Sequence, residues 1–581
     1  MTSFEHLLAL LRRPTGMSSA GYPYFERRTF EEFRDEVAVL FTGGQTVLDL
    51  LGKAEAEFGE DENLLRACRV ARQVVRTAAI TAPPDLWLLR HVLGVHQELG
   101  LPERLLDGEA IHPEDCVVLV DGQERRLDPE QLAIDLHFLL ARGFVEEYDG
   151  AFRIAGHPRV RQVFAELGPI VGDPVPATPL WRKLFTGDEA LTDDEARDLL
   201  ILQGIIPGAR DEAQNHWIPT VEEILTGYLL VPVVLGLRAA DRSTGARRGD
   251  LLVPAELAAF QPDLARVACE ILERAAWVQA DGDAFQVTEL GERGLTRGPG
   301  PFGIIQTYVS YMKQAKEILL EGRRNVWVRR GENIGASQDA NRGTFRKAND
   351  ALDRFCADTG FEFSVFIEHA IGRGEATRQR FNRDGEERIR YFGADLEDAA
   401  IDAAEREQAA GRLPSNMRFI RQADIGQPQI LIEALREAGV DPRHAVMLVG
   451  NGFHEVRDQT DEKMVEVFRG YHEAGILLLF TEENALSVDD LRATAFNTYH
   501  AGFKYVHEKS GQCLRPASPR PRPRLGPPLR AAWSECASQA GYVRLEEYCA
   551  RTRTIYPYPR PGNGHNPSIS VSHFFVPADL A

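Results

Sequence analysis

The chain has 581 residues, a formal net charge of −20, 44% hydrophobic and 27% charged residues. That length exceeds one ordinary core and suggests roughly three to four domains. A surface this acidic repels phosphate backbones, which disfavours nucleic acid as a partner. No apolar run approaches the ~20 residues that cross a bilayer. Met1–Arg13 mixes acid and base without a small-residue cleavage site, so no signal peptide is expected and the expected compartment is the cytoplasm. The seven cysteines are scattered, with no Cys-x-x-Cys, and read as buried or free thiols.

From Met1 to about Pro129 the pattern is helical. Leu64, Leu65, Cys68, Val70, Ala71, Val74 and Val75 recur at helical spacing, Pro83-Pro84 is expected to break the helix, and Leu86–Leu99 resumes it. A weak internal repeat follows. Residues 144–154 align without gaps on 277–287, matching Phe144 with Trp277, Ala151-Phe152 with Ala284-Phe285, and Ile154 with Val287. Each copy follows a helical run, and Asp and Gly supply a turn between short alternating strands. Helix then tight hairpin is a winged-helix-like pattern, expected near 125–170 and 250–300. The hairpins carry Glu146, Glu147 and Asp149, then Asp281 and Asp283. Acid there opposes contact with DNA and favours dimerisation or a cap over a substrate. The expected domains are 1–124, 125–245, 246–332 and 333–581.

Residues 302–320 read as helix, 333–345 as a polar segment, and 347–356 as helix again. Within the polar segment, residues 337–342 are dense in hydrogen-bonding groups that a cofactor could meet, or they form an exposed helix start. After Gly360 five apolar runs appear at intervals of roughly 30 residues, Phe363–Glu368, Ile389–Asp395, Met417–Asp424, His444–Gly450 and Gly475–Thr481, separated by helical segments. This alternation predicts an α/β fold with a doubly wound, mostly parallel sheet, whose ligands lie at the carboxyl ends of the strands. A Pro/Arg-rich stretch at 516–528 reads as a surface loop. A helix over 529–540 and strands at 542–549 and 568–576 are candidates for a closing antiparallel pair.

The loop after the first run reads Glu368-His369-Ala370-Ile371-Gly372-Arg373-Gly374. With Asp395 and Asp424 ending the second and third runs, it is similar to the class I S-adenosylmethionine-dependent methyltransferases, over about residues 333–581. The resemblance implies a Rossmann-like methyltransferase sheet with an antiparallel last strand, preceded by the helical and winged-helix-like domains. It implies S-adenosylmethionine as cofactor and Glu368, Ala370, Gly372, Gly374, Asp395, Asp424 and Asn451 as cofactor-binding residues. Glu368 would hold the charged amino-acid part, Asp395 the ribose hydroxyls and Asp424 the adenine amino group. Ala370 departs from the glycine usual at its position, where positive φ would cost about 1 kcal/mol or more. His369 either touches the cofactor or only fills the loop.

Methyl transfer needs a base only where the acceptor must lose a proton. After the fourth strand, Asn451 is placed to meet acceptor or cofactor, His454 to act as base, and Glu455 to orient it. After the fifth come Glu482, Glu483, Asn497, Tyr499, His500, Tyr505 and His507. His500 and His507, seven apart, share a helix face and would line an acceptor pocket. The catalytic candidates are His454, Glu455 and His500; no metal is expected. The expected partners are a small-molecule or carrier-bound acceptor and a second copy of the chain. The alternatives are another transfer on the same cofactor fold, such as aminopropyl transfer, and a winged-helix regulator that senses a ligand.

Overall fold

The computed structural model describes residues 4–17, 23–36, 41–170, 178–207, 217–258, 260–323, 334–457, 459–493, 500–519, 529–554 and 568–580; 27, 34–36, 334–341, 493, 500, 551–554 and 568–569 are described by backbone alone. The chain divides into two compact units. The first is Met1–Arg324 with Asp489–Tyr505 and Ile555–Asn566, and the second Asn325–Val488, Val506–Thr554 and Pro567–Ala581. Among the described residues no helix is long and apolar enough to cross a membrane.

The spine of the first unit is α1 (Glu62–Glu98), begun by Asp61, whose side chain accepts from the Leu64 amide. The expected break at Pro83-Pro84 does not occur, since both prolines lie inside this one helix. Two causes offset the two missing amide donors. The φ of proline is already close to helical, and the surrounding turns are buried on every side, from Ala78 and Ala79 to Leu89. Helix α3 (Val221–Ala239) packs against this stretch so closely that a Cβ at Gly227 would stand 2.5 Å from Leu86 Cβ.

Both expected helix–hairpin units are formed. Helix α2 (Pro129–Ala141) leads into β1 (Val145–Tyr148) and β2 (Ala151–Ile154), paired antiparallel. Asp149 and Gly150 both have positive φ (52° and 75°), as a two-residue hairpin turn requires. Further along, β3 (Leu251–Leu252), α4 (Pro262–Arg274), β4 (Val278–Asp281) and β5 (Ala284–Val287) repeat the plan, with β3 added beside β5.

In the second unit α5 (Ile334–Thr359) runs continuously through the segment read as polar, so Ser337 lies inside a helix rather than at its start. Then β6 (Val365–His369), α6 (Glu375–Asp384), β7 (Arg390–Ala394), α7 (Asp398–Ala409), β8 (Arg418–Ile420), α8 (Pro428–Glu437), β9 (Val446–Gly450), α9 (Asp461–Glu473) and β10 (Leu477–Glu483) alternate as predicted. The chain ends with α10 (His500–Ser510), α11 (Trp533–Gln539), β11 (Val543–Arg544), β12 (Ala550–Thr554) and β13 (Ser568–Val576).

The sheet runs β8-β7-β6-β9-β10-β13-β11, with β12 also pairing β13. The first five strands are parallel and β13 is antiparallel to β10. Chain order reverses between β6 and β9, which opens a crevice at their carboxyl ends. Both faces are covered, so successive strand residues enter opposite cores. Ile367, Met447, Val449, Leu478 and Phe480 pack on one side with Trp533 and Tyr471. Phe366, Tyr391, Leu448, Leu477 and Leu479 pack on the other with Leu352 and Phe355. That two-sided burial is why the strands read as unbroken apolar runs.

Candidate functional site

The loop at the switch in strand order is built from left-handed residues. Ala370, Gly372 and Gly374 have φ of 56°, 53° and 76°. Ala370 thus adopts the conformation a glycine takes without strain. Gly374 precedes α6, and a Cβ there would come within 2.8 Å of Leu413. Glu368 is buried, and its two oxygens accept from the amides of Ala376 (3.2 Å) and Thr377 (2.7 Å). It fastens the glycine turn to the first turn of α6, where a carboxylate also meets the favourable end of the helix dipole. Burial raises its pKa to about 7 against the pull of these bonds.

Asp395 closes β7 and reaches back to the same loop, with Oδ2 accepting from the Gly372 amide at 3.1 Å and Oδ1 from the Glu397 amide at 3.0 Å. Burial raises its pKa. Asp424, past β8, accepts from the Gly426 amide at 2.8 Å and the Gln427 side chain at 3.1 Å. His369 is buried, its Nδ1 accepts from the Ala370 amide at 3.0 Å, and its Nε2 has no hydrogen-bond partner. Burial, opposed by the Asp424 charge, lowers its pKa to about 4.

The loop after β9 faces this one. Gly450 has no room for a Cβ, which would meet the Phe345 ring at 2.3 Å. Asn451 is left-handed (φ 55°), its amide donates to the Thr481 carbonyl, and its buried Oδ1 has no partner. A Cβ on Gly452 would stand 3.2 Å from that of Ala370, so the two loops nearly touch. The short 3₁₀ turn Phe453–Glu455 then lies across the end of β10.

That crossing assembles a cluster. Glu482, fully buried, accepts from the Phe453 amide with Oε1 and meets His454 Nδ1 at 2.7 Å with Oε2. His454 Nε2 stands 3.5 Å from Glu455 Oε1, to which Gln512 Nε2 donates at 2.6 Å. The ring of His507, also buried, lies edge-on to His454 with centroids 5.1 Å apart. Burial alone would lower the His454 pKa, but Glu482 and Glu455 together raise it to about 10.

The structure therefore brings together His454 and Glu455 with Glu482 and His507, all four singled out in the sequence, and adds Gln512. The acidic end of β10 was the signal for Glu482. For Gln512 there was none. Of the residues after the fifth strand, Asn497 and Tyr499 lie outside the described residues, as does the side chain of His500. Tyr505 is buried in the first unit, stacked on Phe138 at 4.8 Å. The side chains of Ser337 to Asn341 are likewise not described. Among the described residues no group of three or more His, Cys, Asp or Glu is placed to hold a metal ion.

The strand order, the antiparallel β13 and the strand-end acids define a class I S-adenosylmethionine-dependent methyltransferase fold for the second unit. Solved structures similar to the chain include methyltransferases. An O-methyltransferase family protein from Burkholderia thailandensis is 18% identical, covering 57% of this chain and 90% of its own, with a TM-score of 0.34. The CurJ carbon methyltransferase is 12% identical, covering 69% of this chain and 99% of its own, with a TM-score of 0.30. TnmH is 15% identical, covering 67% and 100%, with a TM-score of 0.37. No family model and no curated protein matches the chain. At such distance the likeness is one of fold, and the strand order carries the assignment.

The residues fit the cofactor that this fold implies. Two buried polar atoms, His369 Nε2 and Asn451 Oδ1, have no hydrogen-bond partner, one at the end of β6 and one just past the end of β9.

Proposed function

We propose that the chain is an S-adenosylmethionine-dependent methyltransferase acting on a small-molecule or carrier-bound acceptor whose attacking atom must lose a proton. When bound, the cofactor supplies a methyl group on a positively charged sulfur. Asp395 would accept from the ribose hydroxyls, Asp424 would bound the adenine side, and Asn451 would stand between cofactor and acceptor. Glu368 would act indirectly, by holding the glycine turn in its left-handed form. His454 would take the acceptor proton on Nε2, while Glu482 fixes the ring through Nδ1 and stabilises the imidazolium.

The observation that carries this reading is the buried 2.7 Å contact of His454 Nδ1 with Glu482 Oε2 beside the cofactor crevice. A buried carboxylate–imidazole pair orients the ring and increases its proton affinity, which suits an acceptor hydroxyl or an activated C–H. The similar structures include both O- and carbon methyltransferases, so either atom type is consistent with that base. The two helix–hairpin units of the first unit are proposed as winged-helix-like scaffolds for dimerisation.

Incubation with S-adenosylmethionine and a panel of hydroxylated, amine and thioester-bound acceptors tests the proposal by mass spectrometry. The expected result is S-adenosylhomocysteine with an acceptor heavier by one methylene, lost in His454→Ala. Methylthioadenosine as the by-product would instead mean transfer of the cofactor's 3-amino-3-carboxypropyl group and overturn the proposal.

A further inference from the structure

A general base acts only where the backbone beneath it is fixed, since a misplacement of about 1 Å can cost on the order of 10²-fold in rate. The turn that carries His454 is a single 3₁₀ turn, too short to fix itself, and bonds from outside hold it. The Phe453 amide donates to Glu482 Oε1 at 2.5 Å, and the Cys513 amide donates to the His454 carbonyl at 3.0 Å. A third bond comes from Gln459, buried just before α9, whose Nε2 donates to the Phe453 carbonyl at 2.8 Å. That carbonyl belongs to the peptide leading into His454 and also closes the turn, accepting from the Val456 amide at 3.2 Å. The Gln459 amide can face only one way, since Oε1 accepts from Arg515 Nε at 2.9 Å and a guanidinium has donors alone. Arg515, fully buried, is itself held by Asp461 Oδ1 at 2.6 Å and by the carbonyls of Thr460 and Ala531.

We propose that Gln459, oriented by Arg515, is a positioning residue for His454, fixing the Phe453–His454 peptide so that the imidazole meets Glu482 at 2.7 Å. Glu482 grips Phe453 at its amide and Gln459 at its carbonyl, one from β10 and the other from the segment before α9. With the Cys513 amide on the next carbonyl, the backbone on both sides of the His454 Cα is held, and the side chain leaves it in one direction. Gln459 carries no charge, so its effect on the ring passes through position alone. The inference rests on His454 being the base of the proposed methyl transfer.

Nitrogen-15 NMR of the full chain labelled at histidine follows the ring, whose signal is identified by its absence in His454→Gln. In the wild type its protonation midpoint is expected near 10, where Glu482 and Glu455 hold it. The titratable groups that face the ring, Glu482, Glu455 and His507, are the same in every variant, so a moved midpoint reports a moved ring. Gln459→Met exchanges one neutral side chain for another of similar length, and is expected to lower the midpoint by about one pH unit or more as the ring and Glu482 separate. Gln459→Asn, one methylene shorter, is expected to fall between and serves if Gln459→Met folds poorly. Arg380→Met on α6 removes a buried guanidinium from Asp353 and Asp384, away from the turn, and is expected to lower stability but leave the midpoint in place. A wild-type midpoint in folded Gln459→Met and Gln459→Asn would overturn the positioning role alone, and so would a midpoint lowered equally by Arg380→Met. A wild-type ring that does not titrate between about pH 6 and pH 11 would overturn the base, and the positioning role with it.

Discussion

His454 Nδ1 and Glu482 Oε2 stand 2.7 Å apart, and the backbone that brings them together is the parallel pairing of β9 with β10. Gly450 is paired with Thr481, and the Asn451 amide donates to the Thr481 carbonyl. The next turn of the β9 chain therefore lies over the next residue of β10. Glu482 secures this by accepting from the Phe453 amide with its other oxygen. One carboxylate thus fixes both the position of the loop and the orientation of the imidazole.

The pH dependence of methyl transfer follows from that contact. His454 must be neutral to accept a proton, and its neighbours raise its pKa to about 10. The rate is expected to rise with pH through the neutral range toward that value. Glu482→Gln removes the anion that stabilises the imidazolium, so the rising limb should move to lower pH while the plateau falls by about 10²–10⁴-fold. S-adenosylhomocysteine release measured from pH 6 to 11 checks both; a limb that does not move would mean that Glu482 does not stabilise the His454 imidazolium.

Ala370 bears on the strain in the glycine loop. Its φ of 56° costs an Ala about 1–2 kcal/mol, but a glycine there would lose about 0.5–1 kcal/mol more backbone entropy on folding. Ala370→Gly should therefore change stability by less than about 1 kcal/mol. Ala370→Val adds branching at a position that Gly452 approaches closely, and should destabilise by about 2 kcal/mol or more and weaken cofactor binding. Denaturant unfolding of the three proteins checks the order; equal stability of the Val and Ala forms would contradict the loop geometry.

His573 is a buried histidine with no polar role. Its ring stacks on Phe480 at 4.8 Å, neither nitrogen has a hydrogen-bond partner, and burial holds its pKa well below the usual value. The folded state keeps this ring neutral while the unfolded chain protonates near pH 6.5. Its contribution is therefore present above pH 6.5 and lost as pH falls below it. His573→Phe should stabilise by about 1–2 kcal/mol at pH 7, and by more at pH 5. Thermal melts at the two pH values give the comparison, and an equal gain at both would contradict the assignment.

Arg515 fastens the segment after α10 to the start of α9. Its fully buried guanidinium donates to Gln459 Oε1 (2.9 Å), Asp461 Oδ1 (2.6 Å) and the carbonyls of Thr460 and Ala531. Arg515→Met leaves those acceptors without their donor and should cost about 3–5 kcal/mol. Calorimetric unfolding would show it, and a loss below about 1 kcal/mol would mean that water replaces the guanidinium.

Much of the second unit was legible because its central strands are buried on both faces and each strand ends in, or is followed by, a polar residue. Val446–Gly450 and Leu477–Glu483 emerged within two residues of the expected runs. Asp395 was legible because a short acid after a strand stands out, while its bond to the Gly372 amide was not. Glu368 was legible as a position, while its two bonds to α6 amides depend on the curl of the loop. Pro83-Pro84 misled because a local rule was overridden by burial among neighbouring helices. Gln512 was invisible because 57 residues separate it from Glu455 and nothing in its neighbours marks a contact.

S-adenosylmethionine is proposed to bind at the carboxyl ends of β6 and β9, with Asp395 at the edge of the site. Isothermal calorimetry of the full chain with S-adenosylmethionine tests it without knowledge of the acceptor. Saturable one-to-one binding is expected, weakened at least about tenfold in Asp395→Ala, where a charge-assisted bond worth roughly 1.5–3 kcal/mol is lost. Absence of any binding heat with the folded wild type, confirmed by equilibrium dialysis, would contradict it.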